Sequence, residues 1–302
     1  MKIQHNNITW QNLANPTLAD LNFLEKDLSV TPLVLKELIG LNKRAKIEEY
    51  DNYLFLVMHF PVFHEESRQT VPTELDFIVT GNQIITVYQN PNPCLENFFK
   101  EILADDSLRQ QYFKINGFLL FSILDKLTDS CLPMLDHIHE KIEVIEQDMF
   151  KGKEREMLKE IAIVKRDIID FRRTLKPQRS ILEILAKKAN RFFQTELDSI
   201  AQEVIGSEVR AWNILESHKE MIEAIEKTNE GLLSFQINRV MHTLTFFSII
   251  LFSLTFIAAF FSMKIFETPL LPRYPWNLLA VSAIMLLVIL IITTLFKRKR
   301  WM

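Results

Sequence analysis

Apolar and polar positions follow different rhythms along the chain. Near the start, short apolar runs of strand length dominate. Tyr53–Phe60 (YLFLVMHF) is one, and Leu75–Val79 with Ile84–Tyr88 flank Gly81-Asn82, a pattern that predicts a compact hairpin. Ser29-Val30-Thr31-Pro32 ahead of LVLKELIGL predicts a helix opened by a Ser or Thr cap with proline in its first turn. Residues 1–125 are therefore expected to form a mixed α/β domain, large enough for its own core.

The rhythm changes after Leu132-Pro133. From Met134 to Met263 the only proline is Pro177, and the glycines are Gly152, Gly206 and Gly231. This predicts a helical stem over 126–239, with a helix hairpin at Lys151-Gly152-Lys153 and a second break at Lys176-Pro177. No proline interrupts the chain from about Glu196 to Met263, so one helix of ~68 residues, about 100 Å long, is expected there. A helix of that length needs partners along it.

A heptad ruler separates its faces. Leu197, Ala201, Val204, Ala211, Leu215, Ile222, Ile225 and Leu232 fall in two slots, interrupted by Glu208, His218, Asn229 and Gln236, which gives a usable but leaky packing seam. Two other slots run from Glu196 and Ser199 through Glu203 and Arg210 to Ser234 and Asn238 without one large apolar side chain. In the same register the stripe continues as Met241, Thr245, Ser248, Phe252, Thr255, Ala259 and Ser262. Taken alone, the first part is a solvated helix face, and small residues in an apolar segment serve close helix packing. The continuity of one stripe through both parts favours a symmetric bundle around a water-filled path.

Val240–Met263 carries no formal charge over 24 residues, and Tyr274–Phe296 none over 23. Each is long enough to cross a hydrocarbon core of roughly 30 Å as a helix. We expect membrane spans at 240–263 and 276–296, a loop at 264–275 outside the cytoplasm, and a basic tail at 297–302. Residues 1–20 lack the charged start and apolar run of a signal peptide. Two spans per chain do not enclose a channel, so a path requires an oligomer.

Charge orients the chain. Six basic residues and one acid follow Arg239, leaving 29 basic and 37 acidic residues in 1–239, so the last part is net +5 and the first −8. Lys297-Arg298-Lys299-Arg300 places the tail in the cytoplasm by the positive-inside rule, and an even number of spans puts the N-terminal part on the same side. A multi-pass protein of the inner, cytoplasmic membrane with both termini cytoplasmic is expected. Cys94 and Cys131 then read as reduced structural thiols.

Catalytic signatures are missing from the sequence: there is no phosphate loop, no GxGxxG, no nucleophile elbow and no zinc-type spacing, so no enzyme is expected. No basic patch precedes Arg239, which argues against a nucleic-acid partner. Asp136-His137-Ile138-His139-Glu140 reads as a solvated helix surface, because residues two apart do not share a helix face.

Four segments together resemble the CorA family of divalent-cation channels, of the two-transmembrane GxN type. They are Arg44-Ala45-Lys46-Ile47-Glu48-Glu49-Tyr50-Asp51-Asn52-Tyr53-Leu54-Phe55-Leu56, Leu175-Lys176-Pro177-Gln178-Arg179, Asn238-Arg239-Val240-Met241 leading to Leu254-Thr255-Phe256-Ile257-Ala258, and the basic tail ending in Trp301. The resemblance implies a funnel-shaped homopentamer in the lipid bilayer, with an α/β cytosolic domain, a long-helix stem and two C-terminal transmembrane helices. It implies passage of Mg²⁺ or a related ion such as Co²⁺, Ni²⁺ or Zn²⁺. It puts Asn238, Met241, Leu244, Phe252 and Thr255 on the path, four of which the heptad ruler also selects; the ruler gives Thr245 in place of Leu244. No cofactor is implied beyond Mg²⁺ as a regulatory ligand, for which the resemblance aligns Glu203 as one acid without locating its partner.

One position departs from the pattern. Where the family has Gly-Met-Asn, this chain has Ser262-Met263-Lys264, and lysine offers three donors, no acceptor and a positive charge. Lys264 forms a cationic ring at the outer mouth, pairs with Glu267, or snorkels to the headgroups. Arg273 adds a further positive charge to the same loop. The alternative reading is a relative that has lost Mg²⁺ selectivity and passes anions, or does not conduct and acts as a membrane-tethered sensing module.

Overall fold

The computed structural model describes residues 1–40, 44–64, 69–262 and 276–298. Two compact units divide within one long helix, Met1–Glu226 and Lys227–Met302.

The first unit is built on a six-stranded sheet. Strands β1 (Lys2–His5), β2 (Ile8–Ala14), β3 (Lys46–Glu49), β4 (Leu54–His64), β5 (Gln69–Val79) and β6 (Gln83–Tyr88) lie in the order β1-β2-β6-β5-β4-β3. All neighbours are antiparallel except β2 and β6. Side-chain alternation along β4 assigns the two faces. Phe55 and Val57 face helices α1 (Leu18–Leu28) and α2 (Pro32–Ile39), where Leu21, Leu24, Val34, Leu35 and Leu38 complete one core. Leu54, Leu56, Met58 and Phe60 face the larger core with Trp10, Phe77, Phe99 and Phe121. The helix over Pro32–Ile39 and the β5/β6 hairpin at Gly81-Asn82 match the sequence pattern. Pro61 lies opposite Pro72 where β4 and β5 extend beyond their outer neighbours, so neither missing N–H breaks a second ladder.

Helices α3 (Pro93–Ala104), α4 (Asp106–Tyr112), α5 (Asn116–Asp129), α6 (Cys131–Phe150), α7 (Glu154–Leu175) and α8 (Gln178–Phe193) follow. The α6/α7 turn contains Gly152 at φ 90°, a left-handed conformation that glycine adopts without strain. Pro177 separates α7 from α8, and Gln178, fully buried, donates from its side-chain amide to the His59 carbonyl on β4. Gly117 on α5 lets the segment after α8 approach: a Cβ there would stand 2.3 Å from Leu197 Cδ1 and 2.7 Å from Phe193 Cδ2.

The long helix α9 runs unbroken from Asp198 to Ser262, 65 residues. Arg172 and Lys165 of α7 pair with its Glu216 and Glu226 at 2.5 and 2.7 Å, so the two helices run antiparallel. The seam is tighter than its sequence indicates. Leu197, Ala201, Val204, Ala211, Leu215, Ile222 and Ile225 are buried, and so are the interruptions Glu208, His218 and Asn229, whereas Leu232 is half-buried. His139, placed by its spacing on a solvated surface, stacks on His218 at 5.4 Å while pairing with Glu143.

In the second unit, α10 (Trp276–Arg298) packs against α9 through Phe296 and Phe246, 5.2 Å between ring centroids. Phe246 is 7% exposed, in contrast to Phe252 at 77%.

Candidate functional site

At about 100° per residue, the stripe residues Asn238, Met241, Leu244, Thr245, Ser248, Phe252, Thr255, Ala259 and Ser262 fall within one arc of about 120° on α9. All nine are exposed in the single chain. Leu244 and Thr245, between which the sequence left the rotation of the helix open, lie toward opposite sides of that arc. Both line an open groove of about 450 Å³ with Ser248 and Phe252. The less exposed residues of the apolar segment, Phe246, Ile250, Ser253, Leu254, Ile257 and Phe261, occupy the opposite side. The second apolar helix therefore backs the stripe and leaves it open.

The hydroxyls on this face share one chemistry. Thr245 Oγ1 donates to the Met241 carbonyl, Ser248 Oγ to that of Leu244 and Thr255 Oγ1 to that of Leu251, each at 2.8 Å. A hydroxyl has one donor and two acceptor lone pairs. With the proton turned back to the helix, what these groups offer outward is acceptor oxygen.

Met263, Lys264, Glu267 and Arg273 lie outside the described residues, as do Lys299 and Arg300 of the tail.

Glu203 is exposed on α9 and lines a cavity of about 400 Å³ with Ser122, Asp125, Glu196 and Ser199. Asp125, on α5, is a second acid lining the same cavity. Burial raises its pKa, and the charges of Asp129 and Glu203 raise it further against Lys126 and Arg210. Its Oδ1 is sealed from solvent without a hydrogen-bond partner. A cation entering here would meet two carboxylates and relieve that repulsion. Among the described residues, no group of three or more His, Cys, Asp or Glu side chains is arranged to hold a metal ion, and Asp136-His137-Ile138-His139-Glu140 forms none.

Comparison with known proteins identifies the family and the fold. The CorA-like Mg²⁺ transporter protein model matches residues 5–298. The cobalt/magnesium transport protein CorA of Thermotoga maritima is 23% identical over 295 residues, 97% of this chain and 83% of that protein. The zinc transport protein ZntB of Pectobacterium atrosepticum is 21% identical over 265 residues, 86% of this chain and 78% of its own. Among solved structures, the CorA magnesium transporter of Methanocaldococcus jannaschii superposes with a TM-score of 0.85 at 20% identity, covering all of this chain and 94% of that one. Among the described residues, two helices are long and apolar enough to cross a membrane, Asp198–Ser262 and Leu279–Arg298. With a family model spanning nearly its whole length, this chain is a membrane protein that belongs to the CorA-like Mg²⁺ transporter family.

Proposed function

We propose that the protein is a homopentameric channel of the cytoplasmic membrane, both termini cytoplasmic, through which a hydrated divalent cation moves passively down its electrochemical gradient. The observation that carries the choice of a cation is the orientation of the Thr245, Ser248 and Thr255 hydroxyls. A hydrated cation turns water hydrogens outward and is matched by acceptors. A permeating anion needs donors, and these three donors are already engaged. Mg²⁺ sheds its water reluctantly, so contact through its hydration shell suits this face. The anion-passing or non-conducting alternative rests on Lys264 alone, and the relatives are named for cobalt, magnesium and zinc transport.

Repeated around an axis, the arc from Asn238 to Ser262 lines the path, and α10 stands outside it. Glu203 and Asp125 serve as the cytosolic pair for regulatory Mg²⁺, which is commonly held by one or two carboxylates with waters completing its shell. The orphaned Asp125 Oδ1 supports that role.

Purified protein in liposomes tests the reading, with Mg²⁺, Co²⁺, Ni²⁺ and chloride fluxes measured beside Lys264→Asn. Divalent uptake without chloride flux is expected of the unaltered protein. Chloride flux, or divalent uptake confined to Lys264→Asn, refutes it. A monomer or dimer by mass in detergent removes the pore.

A further inference from the structure

Between Leu215 and Ile222 the buried seam of α9 holds a histidine, His218, which is 5% exposed. Its ring lies flat against that of His139 on α6, with 5.4 Å between centroids and 16° between planes. His218 Nδ1 is sealed from solvent and has no hydrogen-bond partner. His139 is placed differently: its side chain is 44% exposed, and its Nε2 lies 3.4 Å from Glu143 Oε1. The two rings therefore accept a proton on unequal terms. Water and Glu143 can both stabilise an imidazolium at His139. A second proton must go to His218, where both ring nitrogens then carry hydrogen. That would bury a charge and an unpaired N–H in the seam, about 5 Å from a like charge.

Burial lowers the pKa of His218, and the charge of His139 lowers it further, against Asp136 of α6. The other charged side chains around this level are engaged: on α6 His137 by Glu140, on α7 Arg172 and Lys165 by Glu216 and Glu226, and on α9 Lys219 by Glu223. We infer that the His139–His218 stack is an acid-sensitive clamp between α6 and α9, closed while at most one ring carries a proton and opened when the second arrives. Its opening frees part of the seam of the helix that carries the exposed stripe. The sign follows from the burial. An opened His218 returns to the ordinary imidazole value of 6.5, so acid favours the open form as pH falls below that value, by at most about tenfold per pH unit for each proton taken up.

Amide hydrogen exchange read by mass spectrometry tests the clamp on the full chain in detergent, at pH 7.5 and 5.0 after correction for the intrinsic pH dependence of exchange. We expect peptides from 131–150 and 210–226 to exchange faster at pH 5.0, within the tenfold-per-unit bound, while peptides from 54–60 in the sheet keep their protection. His218→Phe keeps a ring in the seam and cannot titrate, so it should lose the acid-dependent increase. His139→Phe alters a half-exposed position and removes only the opposing charge, so its increase should be smaller than that of the parent. Glu208 is present in all three proteins, and differences among them therefore report the histidines. Exchange in α6 and α9 that does not change with pH in the parent overturns the inference. So does an increase shared equally by 54–60, or one undiminished in either variant.

Discussion

Replacing Glu208 by glutamine should stabilise the protein at pH 8 and leave it nearly unchanged at pH 4. Glu208 occupies a seam position of α9, is 1% exposed, and its Oε2 has no hydrogen-bond partner. Burial raises its pKa from the ordinary 4.5 to about 7, with Arg179 lowering it and Glu183 raising it. The folded state therefore holds a proton that the unfolded chain releases between those two values. Stability is complete below pH 4.5, falls as pH rises toward 7, and stays reduced above it. At about 1.4 kcal/mol per pH unit, the loss is ~3 kcal/mol. Glutamine has nothing to ionise, so Glu208→Gln recovers that amount at high pH only. For a domain of this size each kcal/mol moves the melting temperature by about 2–4 °C, and melting curves at several pH values in one detergent give the comparison. A difference between variant and parent that does not change from pH 4 to 8 would show that Glu208 titrates alike in the folded and unfolded chain, and would refute the reasoning.

Other substitutions probe different parts of the molecule. Phe121→Ala removes a fully buried ring from the larger core and should cost about 3–5 kcal/mol by denaturant unfolding. Lys165→Ala breaks a pair whose side chains are 33% and 35% exposed and should cost under about 1 kcal/mol in the same assay. Arg172→Ala should cost more than Lys165→Ala, because it also loses the Trp212 ring 5.3 Å away. Thr255→Val keeps the side-chain shape and removes the outward acceptor. Liposome flux should fall at least about fivefold, the equivalent of one hydrogen bond of ~1 kcal/mol, with the oligomeric mass unchanged.

Sequence was most informative where one periodicity governs many residues. The long helix was expected from Glu196 to Met263 and runs from Asp198 to Ser262, because absence of proline and a sustained seam are local properties that add up along it. Strands β4, β5 and β6 were visible for the same reason, as apolar runs bounded by turn residues. Strands β1 and β2 escaped notice: Lys2–His5 is short and polar, and β2 is placed by parallel pairing to β6 more than 70 residues away. Glu208 and His218 looked like leaks because the ruler sees one helix only. What buries His218 includes His139 of α6, and no spacing within α9 reports it. The nearness of Asp125 to Glu203 was hidden likewise, because it depends on how α5 meets α9.

Because α10 backs α9 through Phe246, each chain can give an axial path only one wall, and the number of copies fixes its width. Helices about 10 Å across and about 10 Å apart leave a bore of about 4 Å when four close a ring, about 7 Å for five and about 10 Å for six. A Mg²⁺ ion with one shell of water, about 2.1 Å to oxygen and a further 1.4 Å to the water's edge, measures about 7 Å. Ring size alone thus acts as a gauge. Four copies would demand dehydration, six would pass much larger solutes, and five match the ion with its water still on.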